Sequence, residues 1–268
     1  MEPLQASLAD KYDLYQRAVQ EPDTDLWIIT GLFENYTRRP LMDLREDFSG
    51  TGQLSCMFVD DAEGRRAWAV DLDEEPLAWG REKNLPKINA DARTRMTFVR
   101  ADVMEVGPPA VPQVDAILAM NYSFFTFKTR EQMRAYFARA REGLKEGGGL
   151  VLEVVGGPEM QELGAERTQY EDFTYVWDRS EFNPISNEGL CTISFAFPDG
   201  SMLENAFTYD WRQWSIRELR ELLAEAGFAK SIVYWEGSGA DGEGDRVFQA
   251  REKAPSEEAW IAFLVGWK

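Results

Sequence analysis

The chain has 268 residues, enough to bury a large core either as one domain with an insertion or as two smaller domains, and its 44% hydrophobic and 28% charged content is that of a globular protein. A formal charge of −18 repels phosphate backbones and gives no counterion-release term for nucleic-acid binding. With no histidine anywhere, Ser-His-Asp and Cys-His hydrolases and the usual imidazole-bearing zinc and iron sites are excluded.

The first segment, MEPLQASLADKYD, has neither a basic start nor an apolar block, and no apolar run approaches the roughly 18 to 20 residues that cross a bilayer. A cytoplasmic protein without membrane contact is expected. Residues 1–40 read as a helical cap, with a helical pattern around YDLYQRAVQ. From Leu41 short apolar runs alternate with helical patterns, the sign of βαβ units on a mostly parallel sheet. Strands are expected at 41–46, 66–71, 96–100, 114–120 and 149–155, and helices at 52–60, 75–84 and 129–143. Lys145 and the glycines Gly147 to Gly149 serve as the stop of that last helix.

Residues 156–210 change character. GGP opens the segment, and FTYVWDRSEF, LCTISFAFPDG and SMLENAFTYDW are aromatic and β-rich, with PDG as a hairpin turn: an inserted antiparallel ribbon. The first pattern returns over 211–268. Ser215 N-caps the amphipathic helix IRELRELLAEAGF, Gly227 closes it, and SIVYWE and RVFQARE are strands around the polar loop GSGADGEGD. The expected fold is α/β: a doubly wound, mostly parallel seven-stranded sheet built from 41–155 and 211–268, carrying a β-rich insertion. Cys56 and Cys191 share no paired spacing and are expected as buried free thiols, with no disulfide and no thiolate metal site. An all-oxygen Mg²⁺ or Ca²⁺ site stays open, but no EF-hand spacing occurs, and no metal ligand is assigned.

The loop after the first strand, in LREDFSGTGQLS, sits at the carboxyl edge where this architecture binds ligands. Ser49, Gly50, Thr51 and Gly52 let backbone approach closely, while amides at the following helix start offer positive potential. A G-T-G turn alone also serves packing. Downstream, Asp71 ends the second strand about 20 residues on, the place for an acid that bonds ribose hydroxyls, and Asp102 ends the third, within reach of an adenine amino group. Together the three features imply a nucleoside. A nicotinamide dinucleotide fits poorly, since it normally needs a full G-x-G-x-x-G and Phe48 is a bulky cradle for two phosphates.

The succession of this loop, VDLDEEPLAWG, FVRADVMEV, VDAILAMNYS, LKEGGGLVLEV and ELLAEAGF resembles the class I S-adenosylmethionine-dependent methyltransferases over about residues 41–250. The last two segments are similar to the L-K-P-G-G junction and the L-L-x-x-A-G-F helix of small-molecule members. The resemblance implies a Rossmann-like fold and S-adenosyl-L-methionine as cofactor, with S-adenosyl-L-homocysteine as product. It places the acid of the first motif on Glu46, with Asp47 beside it as the alternative, and replaces the first glycine by Phe48, leaving Ser49, Gly50, Thr51 and Gly52. It further implies Asp71 at the ribose, Leu72 on the adenine, Asp102 and Val103 at its edge, and Met120 and Asn121 beneath the sulfonium. Tyr12 and Tyr15 would close over the carboxylate.

Transfer from a sulfonium is chiefly positioning, with the acceptor lone pair in line with the S–CH₃ bond. If a proton must also leave, the base in a histidine-free chain is a carboxylate, tyrosine, lysine or water; Tyr122, Glu153, Tyr175, Asp210 and Glu236 are candidates. Tyr175, Trp177, Tyr209, Trp211, Trp214 and Trp235, dense near acidic residues, can surround an ammonium by cation–π attraction, although β-ribbons are also aromatic for packing alone. A small-molecule acceptor methylated on an amine nitrogen is the lean, with O- and C-methylation as alternatives. A non-catalytic nucleoside- or partner-binding module on the same sheet is the competing class. A tRNA or protein methyltransferase is the third, RNA being disfavoured by the absence of a basic stripe.

Overall fold

The computed structural model describes residues 4–239 and 244–268. Its central strands are β1 (Asp43–Asp47) and β4 (Val114–Ala119), both buried at every position, as expected of parallel strands covered on two faces. β2 (Arg66–Asp71) and β3 (Met96–Arg100) add in parallel on one side, and β5 (Leu144–Gly156) on the other. The helices α4 (Gln53–Asp61), α5 (Glu74–Lys83), the short α6 (Ala90–Arg93) and α7 (Arg130–Gly143) lie between them, as the alternation of patterns requires.

The glycines read as the stop of α7 do something else. That helix ends at Gly143, and Gly148 and Gly149 lie within β5, where a Cβ would stand 2.8 Å from the Asp115 carbonyl and 2.9 Å from the Trp267 ring. They permit close backbone packing rather than ending a helix.

Three elements depart from the expected pattern. In the first 40 residues, α1 (Gln5–Leu8) and α2 (Lys11–Val19) precede a longer helix, α3 (Pro22–Thr37), with proline at its start and Asp23 and Asp25 in its first turn. α3 is not part of a cap: Ile29, Leu32 and Phe33 pack with Phe58 and Val59 of α4 in the core on one sheet face. α7 and α8 (Ile216–Glu225) cover the opposite face through Met133, Phe137, Leu219 and Leu222, so the sheet is doubly wound. The second departure is β6 (Gly164–Gln169), an exposed edge strand. It pairs with β7 (Thr174–Asn183), then β8 (Glu188–Ala196) and β9 (Met202–Arg212), in a separate antiparallel sheet. Pro198-Asp199-Gly200 makes the β8–β9 turn, with Gly200 at φ 82°.

The third is at the end of the chain. The two expected strands β10 (Lys230–Ser238) and β11 (Gly244–Ala250) pair antiparallel, but β12 (Trp260–Trp267) runs between β10 and β5. The order is β11-β10-β12-β5-β4-β1-β2-β3, so the seven-stranded Rossmann-like arrangement carries an eighth strand, β11, at its edge. Residues 240–243 of the glycine-rich loop lie outside the described residues. Ser215 caps α8 by accepting from the Glu218 amide, as its sequence indicates.

β1 reads Asp-Leu-Arg-Glu-Asp, an unusual composition for the most buried strand of the sheet. Three of its four charges are paired. Asp43 accepts from Arg66 and Lys145; burial opposes its ionisation, but the two cations outweigh it and hold the carboxyl below the usual range. Arg45, wholly buried beneath α7 at Gly143, pairs with Asp47 at 2.7 Å, and Asp47 also accepts from the Tyr136 hydroxyl at 3.0 Å. Removing one member of such a pair leaves the other charge buried alone. Asp47→Ala is therefore expected to cost about 3–5 kcal/mol, read as a lowered urea midpoint, whereas the double change Arg45→Met with Asp47→Leu recovers more than half of that loss. A single-variant loss below about 1 kcal/mol, the scale of an exposed pair, would show the ion pair is not structural.

Candidate active site

The carboxyl ends of β1 to β4 open on a cavity of about 790 Å³. Its floor is the turn after β1. Phe48 takes the left-handed conformation (φ 57°) that the missing glycine would adopt freely, and its ring packs edge-on against Phe127 and Tyr136. The Ser49 amide donates to the Val70 carbonyl at 3.0 Å, tying the turn to β2. Gly50 (φ 53°) has nothing within 4 Å of the position a Cβ would take, so the cavity runs over its backbone. The buried Ser49 hydroxyl borders the cavity without a partner among the described residues.

Asp71 joins turn and sheet. Its two oxygens accept from the Gly50 amide at 2.8 Å and the Asp73 amide at 2.9 Å, and burial raises its pKa above the usual carboxylate value. Next along the rim come Leu72, exposed and apolar, and then Asp102 and Val103, with Asp102 turned partly to its own Met104 amide. Met120 and Asn121 close the far side. Tyr12 and Tyr15 arrive from α2; Tyr12 packs on Trp79 and Phe207, and Tyr15 on Phe207.

Glu46, Asp47 and Thr51 border the cavity too, but their side chains are engaged differently. Glu46 Oε2 accepts from the Ser55 amide and hydroxyl, so a strand carboxylate caps the first turn of α4, and no hydrogen bond of the described residues reaches Oε1. Burial pushes its pKa up to about 7. Asp47 is consumed by Arg45 and Tyr136. Thr51 receives a hydrogen bond from Gln16 of α2 at 2.7 Å.

Gly52, expected at the cofactor, does not border the cavity. It faces backwards, where a Cβ would lie 2.8 Å from Phe98 and 3.0 Å from Ala69, so its glycine serves close packing of turn on sheet.

A smaller cavity, about 320 Å³, lies between β5 and the antiparallel sheet, and Tyr15, Asn121, Tyr209 and Trp211 border both. Three of the five candidate bases, Tyr122, Glu153 and Tyr175, line it. Asn121 (φ 51°) and Tyr122 (φ 57°) are consecutive left-handed residues, a conformation that costs roughly 1–3 kcal/mol each in non-glycine residues and marks functional turns. Glu153 Oε2 holds that turn by accepting from the Asn121 amide at 2.7 Å. Burial, with Asp25 adding to it, pushes Glu153 up to about 7. Burial likewise raises the Tyr122 and Tyr175 hydroxyls, making them poor bases.

The other two candidates are elsewhere. Glu236 borders neither cavity: it accepts from the Arg246 amide on the adjacent strand and serves strand pairing. Asp210 reaches the larger cavity but is exposed and paired with Lys128. Of the six aromatics, Tyr175, Trp177, Tyr209 and Trp211 surround the smaller cavity. Trp214 stacks under the Arg212 guanidinium and Trp235 packs on Trp260, both in the core.

Two supports of the turn go unread in the sequence. A Cβ on Gly80 of α5 would lie 2.1 Å from the Thr51 carbonyl, and the buried Asn84 side chain donates to that same oxygen at 3.1 Å. A glycine inside the helical pattern LAWGREKN is the available signal, since it costs about 1 kcal/mol there unless close approach requires it.

Residues 48–148 match the family model described as "Methyltransferase domain". No curated protein matches the chain. Among solved structures, DesVI of Streptomyces venezuelae is 19% identical with a TM-score of 0.67, covering 99% of each chain. An S-adenosylmethionine-dependent methyltransferase from Clostridium acetobutylicum ATCC 824 is 17% identical at 0.65, covering 95% of this chain and 96% of that one. The sugar N-methyltransferase KedS8 from Streptoalloteichus sp. ATCC 53650 is 16% identical at 0.64, covering 100% and 96%. At these identities the structures speak for the fold, and the family model covers the rim from Phe48 through Asp71 and Asp102 to Asn121. Residues 48–148 thus match a methyltransferase domain, and the chain as a whole has the fold of these S-adenosylmethionine-dependent methyltransferases.

Proposed function

We propose that this protein transfers a methyl group from S-adenosylmethionine, held in the larger cavity, to an amine nitrogen of a small molecule. The observation that carries this reading is the single rim formed by the Ser49–Gly50 turn, Asp71 and Asp102 around one cavity. When bound, the cofactor supplies an electrophilic methyl on a sulfonium. Asp71, fixed by the Gly50 amide, presents carboxylate oxygens to the ribose hydroxyls. Leu72, Val103 and Asp102 provide an apolar bed and a polar edge for the base. Glu46, whose Oε1 no hydrogen bond of the described residues reaches, and Tyr12 and Tyr15 of α2 take the amino-acid end, and Met120 and Asn121 lie beneath the reacting centre. Phe48 leaves no glycine cradle for a pyrophosphate, which supports an adenosyl group over a dinucleotide.

In this reading 156–210 and the N-terminal segment form a lid over the sheet domain. α2 supports it by bridging the two sheets: Gln16 bonds Thr51 on one side, and Arg17 pairs with Asp172 on the other. Closing such a lid excludes water from a reactive methyl donor. An amine acceptor agrees with the aromatic, acidic smaller cavity and with the sugar N-methyltransferase KedS8 among the structures of the same fold. A net charge of −18 speaks against a nucleic-acid substrate. A cytoplasmic setting agrees with two free, buried cysteines, and no helix among the described residues is long and apolar enough to cross a membrane.

Calorimetric titration with S-adenosylhomocysteine tests the donor site. Asp71→Ala is expected to weaken binding tenfold to a hundredfold, the scale of roughly 1.5–3 kcal/mol for a hydrogen bond to a charged group. A folded variant with unchanged affinity would remove Asp71 from the ribose, and a wild type that binds neither donor nor product would leave a non-catalytic module.

Glu46 gives a second test through stability. Its folded pKa, about 7, lies above its unfolded value of about 4.5, so the folded state retains a proton that the unfolded state has released. Its contribution is fully present below pH 4.5 and is lost as pH rises through 7. Glu46→Gln is therefore expected to lose less Tm than wild type between about pH 5 and pH 8 in the absence of ligand; equal losses would refute the shift.

A further inference from the structure

Resting on the methyltransferase reading, we propose that the cavity of about 320 Å³ is the acceptor site, that it selects small molecules carrying a protonated amine, and that Glu153 both anchors that ammonium and takes its proton.

Three observations converge. Glu153 is 8% exposed and yet borders the cavity, and only one of its oxygens is engaged, by the Asn121 amide. No hydrogen bond of the described residues reaches Oε1, so a buried carboxylate has an acceptor site to spare beside an open space. Its walls are the faces and edges of Tyr122, Trp177, Tyr209 and Trp211, with Tyr122 set edge-on to Trp211 at 85° and Tyr209 tilted on Trp211 at 4.6 Å. Such walls attract a cation that water has left. Finally, the charges around Glu153 do not neutralise it. Arg246 lines the cavity and offsets the charge only in part, being paired with Glu21 at 2.9 Å; Glu166 is paired with Arg179; Asp25 and Glu236 add negative potential. An uncompensated buried carboxylate is costly, and a cationic ligand is what relieves it. A neutral hydroxyl or carbon acceptor would leave that cost unanswered.

The placement also joins binding to reaction. Asn121, whose amide Glu153 holds, borders the donor cavity, so the acid grips the far wall of one cavity while facing the other. An ammonium seated at Oε1 gives one N–H proton to Glu153, leaving a neutral amine and a neutral carboxyl. The freed nitrogen lone pair then forms the N–CH₃ bond as the S–CH₃ bond breaks, its electron pair staying on sulfur. The positive charge passes from sulfur to nitrogen, and the proton on Glu153 leaves to solvent with the product.

The test uses cyclohexylamine and cyclohexanol, matched in shape, titrated calorimetrically at about pH 8 into protein saturated with S-adenosylhomocysteine. The amine is expected to bind at least about tenfold tighter than the alcohol. Glu153→Gln should abolish that preference while holding S-adenosylhomocysteine affinity within about twofold. Glu153→Asp, which keeps the charge, should fall between the two and guards against a Gln variant that fails to fold. Equal binding of the probes, binding of neither, or an unaltered preference in Glu153→Gln would overturn the proposal. Failure of S-adenosylhomocysteine itself to bind would instead strike the methyltransferase reading, and the two failures are thus separable.

Discussion

A central strand made of charge is the constraint on which the molecule turns. β1 is the middle of the sheet, buried throughout, and four of its five residues are Asp43, Arg45, Glu46 and Asp47. None can stay there unpaired, since a buried carboxylate without partners either protonates or unfolds its surroundings. At the amino end Asp43 and Asp115 share Lys145, with Arg66 and Arg39 completing the set, and the cluster stitches β1, β4 and β5 together. At the carboxyl end Asp47 is matched by Arg45, while Glu46 is satisfied by the first turn of α4. The start of α4 is thereby fixed in the strand's own frame, and with it the turn at 48–52.

That turn carries strain. Phe48, Asn121 and Tyr122 all have positive φ without being glycine, and all lie at the carboxyl edge of adjacent strands β1 and β4. Each is held by packing or by a carboxylate: Phe48 by Phe127 and Tyr136, Tyr122 by Trp211 and Phe125, Asn121 by Glu153. Strain of this kind persists where the surroundings over-determine it. Here they do so from both sheets, because Trp211 belongs to β9 of the antiparallel sheet and Glu153 to β5 of the large one.

Much of this is legible in the sequence wherever one residue has one physical use. Alternating apolar runs mark the parallel strands, Ser215 and Gly227 bound their helix, and Asp71 and Asp102 mark strand ends. What escapes depends on partners distant in the chain. WIAFLVGW is an apolar run too short for a helix, yet its interior place between β5 and β10 follows from tertiary pairing, and the edge pair β10–β11 already fills the expected strand count. GAERTQ has no apolar alternation at all, since an exposed edge strand has no buried face to encode. Gly148 and Gly149 look like part of a helix stop because a glycine needed for φ and a glycine needed for close approach look identical in one sequence. Gly52 and Glu236 are misassigned for a related reason: which way a side chain points is decided by strand register and loop geometry, and spacing alone does not carry it.

The carboxylates form a gradient of satisfaction, and that gradient distinguishes structure from chemistry better than residue type does. Asp47 takes hydrogen bonds from Arg45 and the Tyr136 hydroxyl on Oδ2 while its Oδ1 lies 2.7 Å from the same guanidinium, and this cation-paired group belongs to the framework. Asp71 has both oxygens on backbone amides, which fix its direction but leave lone pairs for ligand hydroxyls. Glu46 and Glu153 each have one oxygen held and one that no hydrogen bond of the described residues reaches, and burial raises both to about 7. In a chain with no histidine, these two occupy the range in which proton transfer near neutral pH is effective. Their positions differ: Glu46 borders the larger cavity, and Glu153 faces the smaller one with Asn121 between. Two half-satisfied acids on either side of one strained turn is an arrangement that folding alone would not favour, because each lowers stability as it ionises. In the function proposed above, the amino end of the donor at Glu46 and an ammonium at Glu153 offset that cost from either side of the turn.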